Sequence, residues 1–301
     1  MKLAVLIPVH NNRDFTISAL NDLLGIINKK YKEEISIVVI DDGSTDGTYT
    51  SITKFYPEIK ILKGDGNLWW SGAINLGAKY AIEELKSEFI LLWNNDITFK
   101  EDYFSKLRSN LIYADINTII GSKILIKNQP EIVWSMGGRF NNKNGKYHMF
   151  GYYQKDSEKY CNIAHVDWLT GMGTVVPKSI IEDVGYWDQQ NFPQYHGDSD
   201  FTYRAKLKGY NIIVNPELII YNSVENSGME HNGNMRQLIK MMTDIRSKTN
   251  FKKNYTFYKK YSKSTLAYYP FILSYLKLFG GFLKWNILHL FGCKKKKLVN
   301  I

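Results

Sequence analysis

The chain has 301 residues, 44% of them hydrophobic and 23% charged, with two cysteines and a formal net charge of +10. That length can bury a substantial core, and the composition excludes a disordered chain, a disulfide-stapled miniprotein and an integral membrane bundle. The charge is unevenly divided, since residues 236–301 carry 15 Lys or Arg against the single acid Asp244; this argues against nucleic acid as a partner of the net acidic body and for an anionic surface met by the tail.

Residues 3–9 (LAVLIPV) read as a first strand rather than a cleaved leader, because no small-residue cleavage pattern follows them. Further β-rich runs at 35–41, 59–64 and 88–93 alternate with helical segments at 14–29, 46–55 and 72–86. Strand followed by helix, repeated, implies parallel strands joined by crossover helices, whose ligands gather beyond the carboxyl ends of the strands. The conspicuous polar residues fall there: His10, Asn11 and Asn12, then Asp41 and Asp42, then Asn94, Asn95 and Asp96. From 118 to 153 the pattern is strand-like, with NNKNGK at 141–146 as a hairpin signal. Helices are expected at 177–184 and 198–208, the second stopped by Gly209, then short strands at 211–215 and 217–221 and a long Lys-rich helical region from 233.

The segment VVIDDGSTDGT (38–48) places two carboxylates at a strand end, followed by a Gly turn and the capping candidates Ser44, Thr45 and Asp46. It makes either a turn and a cap or, with PVHNN one strand earlier, a nucleoside pocket in which a carboxylate accepts a base imide and His10 stacks on the ring. GDGNLWWSGAINLGAKYA (64–81) is a Gly- and Asn-rich loop entering a helix, whose free N–H groups would suit a phosphate or a sugar hydroxyl, with Gly72 allowing close approach. Trp69 and Trp70 are either core or a wall for a sugar ring. The segment Asn94–Asp96 offers oxygen ligands to a hard cation, with a polar Asx turn as the alternative. Asp198 and Asp200 straddle the start of a helix, where the dipole keeps carboxylates ionised, and Asp200 with Arg204, at i and i+4 on one helix face, reads as an orienting pair.

AVLIPVHNN, VVIDDGSTDGT, GNLWWSGAINLG and LLWNND, in that order, resemble the family 2 glycosyltransferases, and the likeness continues through 167–210 to cover roughly residues 3–225. The resemblance is to bacterial rhamnosyltransferase- and galactofuranosyltransferase-like enzymes. It implies an α/β GT-A fold, a Rossmann-like mostly parallel sheet flanked by helices, and inverting transfer from a UDP- or dTDP-sugar to a saccharide or lipid-linked acceptor in surface-polysaccharide synthesis. Carried onto this chain, it implies that Asp42 binds the base, that Pro8, His10, Asn11, Asp41, Asn67, Ser71, Gly72, Asn75, Asn94 and Asn95 line the donor site, and that Asp96 with Asn94 holds Mg or Mn. Asp198 is implied as the general base, and Trp168, Thr170, Gly171 and Asp200 as acceptor contacts. The chain departs from the family in having Asn94 where the first carboxylate of the Asp-x-Asp motif stands, and Asn222 where many relatives have a metal-binding histidine; His231 is the substitute candidate. The competing readings are a sugar nucleotidyltransferase, for which PVHNNRD makes a poor triphosphate loop, and a non-catalytic carbohydrate-binding protein.

Three segments are therefore expected: a donor half at 1–100, an acceptor and catalytic half at 101–232, and a basic apolar helical segment at 233–301. In the last, the longest uncharged run has 13 residues, short of the roughly 18 needed to span a bilayer. A helical wheel puts Ser274, Lys277, Gly281 and Lys284 on one stripe and Phe271, Ile272, Leu276, Phe279, Leu283 and Trp285 on the rest. Such a helix either lies in a membrane interface, peripheral to the inner face of the cell membrane, or packs on the enzyme or in a homodimer. Cys161 and Cys293 show no metal or redox spacing and suggest a reducing compartment.

Overall fold

The computed structural model describes residues 1–112, 115–223 and 234–290. The alternation expected of the first hundred residues is present as β1 (Leu3–Val9), α1 (Arg13–Lys30), β2 (Ile35–Asp41), α2 (Thr48–Phe55), β3 (Lys60–Lys63), α3 (Trp69–Glu83), β4 (Phe89–Leu92) and β5 (Ile97–Phe99). There follow α4 (Tyr103–Ile112), β6 (Thr118–Ile126), β7 (Gln129–Ser135), β8 (Gly138–Phe140), β9 (Tyr147–Met149), β10 (Gln154–Lys155), β11 (Ala164–His165) and β12 (Thr174–Pro177). The last elements are α5 (Lys178–Val184), α6 (Gly197–Leu207), β13 (Asn211–Asn222), α7 (Met235–Thr243), α8 (Phe251–Tyr261) and α9 (Tyr268–Leu290).

The chain divides into two compact units: Met1–Phe140 with Tyr147–Ser227, and the hairpin tip Asn141–Lys146 with Gly228–Ile301. The first is built on a mixed sheet in the order β10-β7-β6-β12-β4-β1-β2-β3, with β13 beside β6 and with β5 and β11 on β13. Strands β3, β2, β1 and β4 are mutually parallel, and β12 is antiparallel to β4 and β6. β1 is almost wholly apolar because both its faces are covered. Leu3, Val5, Ile7 and Val9 pack with Leu20, Leu23 and Ile27 of α1, whereas Ala4 and Leu6 pack with Ala73, Ile74 and Ala78 of α3. Gly77 lets α3 approach the sheet, since a Cβ there would fall 2.7 Å from Ile40 Cδ1.

One expectation is corrected. Residues 211–221 are not two strands but the single β13, whose register against β6 shifts between Asn215 and Ile219. Pro216 lies in that shift, where its missing N–H leaves no ladder donor unpaired. The helical region expected from 233 is present as the three helices α7, α8 and α9. Asn234 caps α7 by accepting from Arg236 N, and Asn250 caps α8 by accepting from Lys253 N while its amide donates to Thr243 O and Asp244 O at the end of α7. The hairpin expected around 141–146 is β8 and β9, antiparallel with Phe140 opposite Tyr147.

Candidate functional site

Register brings the loop tips to one edge of the sheet. Val9 lies opposite Asp41, Asp41 opposite Lys63, and Leu6 opposite Leu92. The chain therefore leaves the sheet on the same side at His10–Asn12, Asp42–Ser44, Gly64–Leu68 and Trp93–Asp96. Pro8 stays within β1, opposite Ile40. The first two loops are laced together: His10 Nδ1 donates to Asp42 O (2.6 Å), Asn11 N to Ser44 Oγ (2.7 Å) and Thr45 N to Asn11 Oδ1 (2.8 Å). Asn11 and Asn12 hold left-handed backbone angles (φ 61° and 60°), which asparagine tolerates better than most residues.

Beside these loops lies a cavity of about 340 Å³ lined by Asp41, Ser44, Thr45, Tyr49, Lys63 and neighbouring glycines. Its size suits one ring system of a ligand. Lys63 Nζ sits 3.7 Å from the Tyr49 ring centroid, and the Tyr49 hydroxyl is held below its usual range by that lysine. The carboxylate on the cavity is Asp41, whose Oδ1 accepts from Ser44 N (3.0 Å). Asp42 is occupied elsewhere. Its Oδ1 accepts from Gly66 N (2.8 Å) and its Oδ2 from Trp69 N (3.0 Å), so it shapes the loop into α3.

The start of α3 does not offer the free donors expected of it. Trp70 N donates to Gln194 Oε1, Ser71 N to Pro193 O and Gly72 N to Leu68 O. Ser71 Oγ donates to Phe192 O, and the buried Asn75 exchanges hydrogen bonds with the Trp187 backbone and donates to Gln189 Oε1. Ser71, Gly72 and Asn75 thus fasten the 187–194 segment to the helix, because buried amides and hydroxyls must find partners and that segment supplies them. Asn67 remains exposed, its N–H donating to Asp65.

At the end of β4 the aromatic run stops at Trp93, which packs edge-on against Phe99 and Tyr103 (5.6 and 5.5 Å between centroids). Asn95 donates to Thr16 Oγ1 (2.9 Å) and anchors the turn to α1. Asn94 Oδ1 and Asp96 Oδ1 are buried with no hydrogen-bond partner. Burial raises the Asp96 carboxyl above its ordinary range. Two oxygen acceptors without donors, two residues apart, fit a hard divalent cation. Among the described residues no group of three His, Cys, Asp or Glu is arranged to hold a metal. His231 lies outside the described residues. Asn222 ends β13 opposite Ile97, one residue beyond Asp96.

Asp198 opens α6. Its Oδ1 accepts from Ser199 N (2.7 Å) and its Oδ2 from Gly171 N (2.9 Å), yet burial prevails and raises its carboxyl above the ordinary range. His196, which precedes Gly197, caps the helix with a left-handed backbone (φ 67°), a conformation that packing must enforce. Asp200 is not an acceptor contact: it is fully buried and bound to Arg204 Nε (2.9 Å), while Arg204 also donates to Val184 O and Tyr186 O. Thr170 is buried as well, with its carbonyl accepting from Thr174 Oγ1 (2.7 Å). Trp168 is core, 2% exposed and pressed against Gly138. The ring that reaches solvent is Tyr147, stacked on Trp168 (4.6 Å, 17°) and edge-on to His196 (6.2 Å). Sequence spacing carries no signal for this shelf, because Tyr147 comes from a separate hairpin.

Gly171 joins the parts. Its N–H holds Asp198, and its α-carbon lies against Trp70, where a side chain would collide with the indole. Trp69 N in turn holds Asp42, and Gly173 N donates to Leu92 O (2.9 Å) immediately before Trp93–Asp96. The loops bearing Asp41, Asp96 and Asp198 are thereby linked along one sheet edge.

The chain resembles a hexosyltransferase of low-salt glycan biosynthesis, Agl10 of Haloferax volcanii, at 25% identity over 206 residues, 64% of each chain. It therefore spans less than two thirds of that relative's length. Among solved structures it resembles the mannosyltransferase PcManGT of Pyrobaculum calidifontis in complex with GDP-Man and Mn2+ (TM-score 0.57, 14% identity, 89% of this chain and 67% of that one). It also resembles TarS 1–349 of S. aureus in complex with UDP-GlcNAc (TM-score 0.55, 17% identity, 81% and 67%). These likenesses bear out the α/β GT-A fold with a long C-terminal helix. The family model "Glycosyl transferase family 2" matches residues 4–168, more than half of the chain and all of the loops that meet at the sheet edge up to Trp168, and the chain belongs to that family.

Proposed function

We propose that this protein transfers a hexosyl or deoxyhexosyl group from a UDP- or dTDP-sugar to a hydroxyl of a saccharide or lipid-linked acceptor, with inversion. The observation that carries the reading is Asp198, a carboxylate held by two backbone N–H groups and linked through the Gly171 loop to the edge that bears Asp41 and Asp96. The acceptor oxygen attacks the anomeric carbon, its proton passes to Asp198, and the bond from that carbon to the diphosphate oxygen breaks with the electron pair leaving on the diphosphate. Asp41, rather than Asp42, faces the base, since Asp42 spends both oxygens on Gly66 and Trp69. Asn94 and Asp96 would hold a divalent cation, Mg or Mn. When bound, such a cation neutralises charge on the departing diphosphate. Nucleotidyl transfer finds less support, because the α3 N-terminus has no N–H left for a triphosphate.

The test is a screen of UDP- and dTDP-sugars with Mg or Mn for protection against thermal unfolding. A cognate donor at a hundredfold excess over its Kd contributes about 2.7 kcal/mol to the native state, a rise in Tm of at least about 5 °C. No shift with any nucleotide sugar and either cation would refute the reading. Acceptor binding is tested separately. Tyr147→Ala is expected to raise the acceptor KM about fivefold, from loss of a stacking surface, with the donor KM unchanged. Trp168→Ala is expected instead to cost about 3–5 kcal/mol of stability, measured by denaturant unfolding.

A further inference from the structure

An amphipathic helix usually hides one apolar stripe and shows a polar one. α9 hides one apolar stripe and shows another. Phe271 and Tyr275 face α8, with the Phe271 ring 5.2 Å from Phe251 and 5.3 Å from Tyr258, and the Tyr275 ring 5.0 Å from Phe251. Asn254 Nδ2 donates to Tyr275 Oη (2.9 Å), which donates to Thr249 O (3.0 Å), so this packing is specific. On the adjoining flank, about 100° further around the helix axis, Ile272, Leu276, Phe279, Leu283 and Ile287 recur every three or four residues and are 52%, 61%, 40%, 59% and 54% exposed. The helical wheel drawn from sequence had merged these two faces.

We propose that this second face lies flat in the interfacial layer of an anionic lipid bilayer, making the second compact unit a membrane platform. Charge complementarity selects the occupant: residues 236–301 carry 15 Lys or Arg and one acid, a surplus that draws the unit to anionic headgroups. Lys277 and Lys284 are exposed at the margin of the stripe, where their stems run along the apolar layer and their amines reach the headgroups. A second copy of the chain would cover the same stripe but would bring two strongly basic segments together. By length and composition alone the helix could also cross a bilayer, since Thr265–Ile287 is 23 residues long and contains an 18-residue window with a mean hydropathy of 1.3. A crossing is disfavoured by the packing, because α9 would carry α8 and its exposed Lys252, Lys259 and Lys260 toward the hydrocarbon. The inference does not rest on the glycosyl-transfer reading, and its failure would leave that reading standing.

The test uses the full chain with phosphatidylglycerol–phosphatidylcholine vesicles and with pure phosphatidylcholine vesicles. Cosedimentation is expected to be at least about tenfold stronger with the anionic vesicles and to weaken at high salt. Leu276→Glu with Leu283→Glu should reduce it about tenfold or more, and the milder Leu276→Ser with Leu283→Ser should reduce it in the same direction, with Tm unchanged in both. Nitroxide labels at Leu276→Cys and Ile287→Cys, in a Cys161→Ser, Cys293→Ser background, should report the same depth. A depth difference near the roughly 16 Å that separates these positions along a helix axis would mean a crossing and overturn the proposal. So would absence of vesicle binding, binding indifferent to the glutamates, or a solution dimer that the glutamates dissociate.

Discussion

Asp198→Asn is expected to lower glycosyl transfer by about 10²–10⁴-fold while the donor still protects the protein from unfolding. The substitution keeps the side-chain shape but removes the site that takes the acceptor proton. Tm should stay within about 3 °C, because relief of a desolvated charge offsets the hydrogen bond that the amide cannot accept from Gly171 or Ser199. The pH profile supplies a second readout. Burial raises this carboxyl, so the acidic limb of kcat/KM should lie above the usual aspartate value of about 3.9 and activity should rise with pH through it. The linkage has the opposite sign for stability. A raised folded pKa contributes stability that is present below about pH 4 and lost as pH rises through the folded value, so the fold holds the working base charged against its own preference. Undiminished turnover by the variant would remove Asp198 from the chemistry, and no turnover by the parent chain with any donor would favour a binding protein.

Asp96→Asn is expected to abolish most of the cation-dependent part of donor protection. The two unpartnered oxygens at the end of β4 are an amide and a carboxylate, so this loop supplies a single negative charge and its loss should weaken cation binding about tenfold or more. With a chelator present the sign reverses. Asp96 is a carboxylate whose burial is opposed only by its own backbone, and neutralising it should raise Tm by about 2 °C or more. Thermal unfolding with and without Mn, in the presence of a nucleoside diphosphate, measures both effects. A variant that keeps the full cation-dependent shift would place the metal elsewhere.

Local pattern was enough to delimit β1, β2 and α1 to within a residue, because parallel strands covered on both faces are continuous apolar runs and their crossover helices are periodic. It also brought the polar strand ends to one edge, since that follows from parallel topology alone. What it could not assign was how each polar group spends its hydrogen bonds. Adjacent carboxylates at 41 and 42 are equivalent as letters, yet one faces a cavity and the other holds the α3 loop. Ser71, Asn75, Asp200 and Trp168 have the chemistry of ligand contacts and are consumed by packing.

The amino-acid order by itself determined the family, the parallel core, the edge where the ligands gather and the basic surplus of the tail, because these depend on composition and short periods. Only the tertiary structure decided that Tyr147 stands over Trp168, that β13 is one bulged strand, and which apolar face of α9 is hidden. Those outcomes depend on partners distant in sequence, and a side chain's exposure is a property of what folds against it rather than of its own identity.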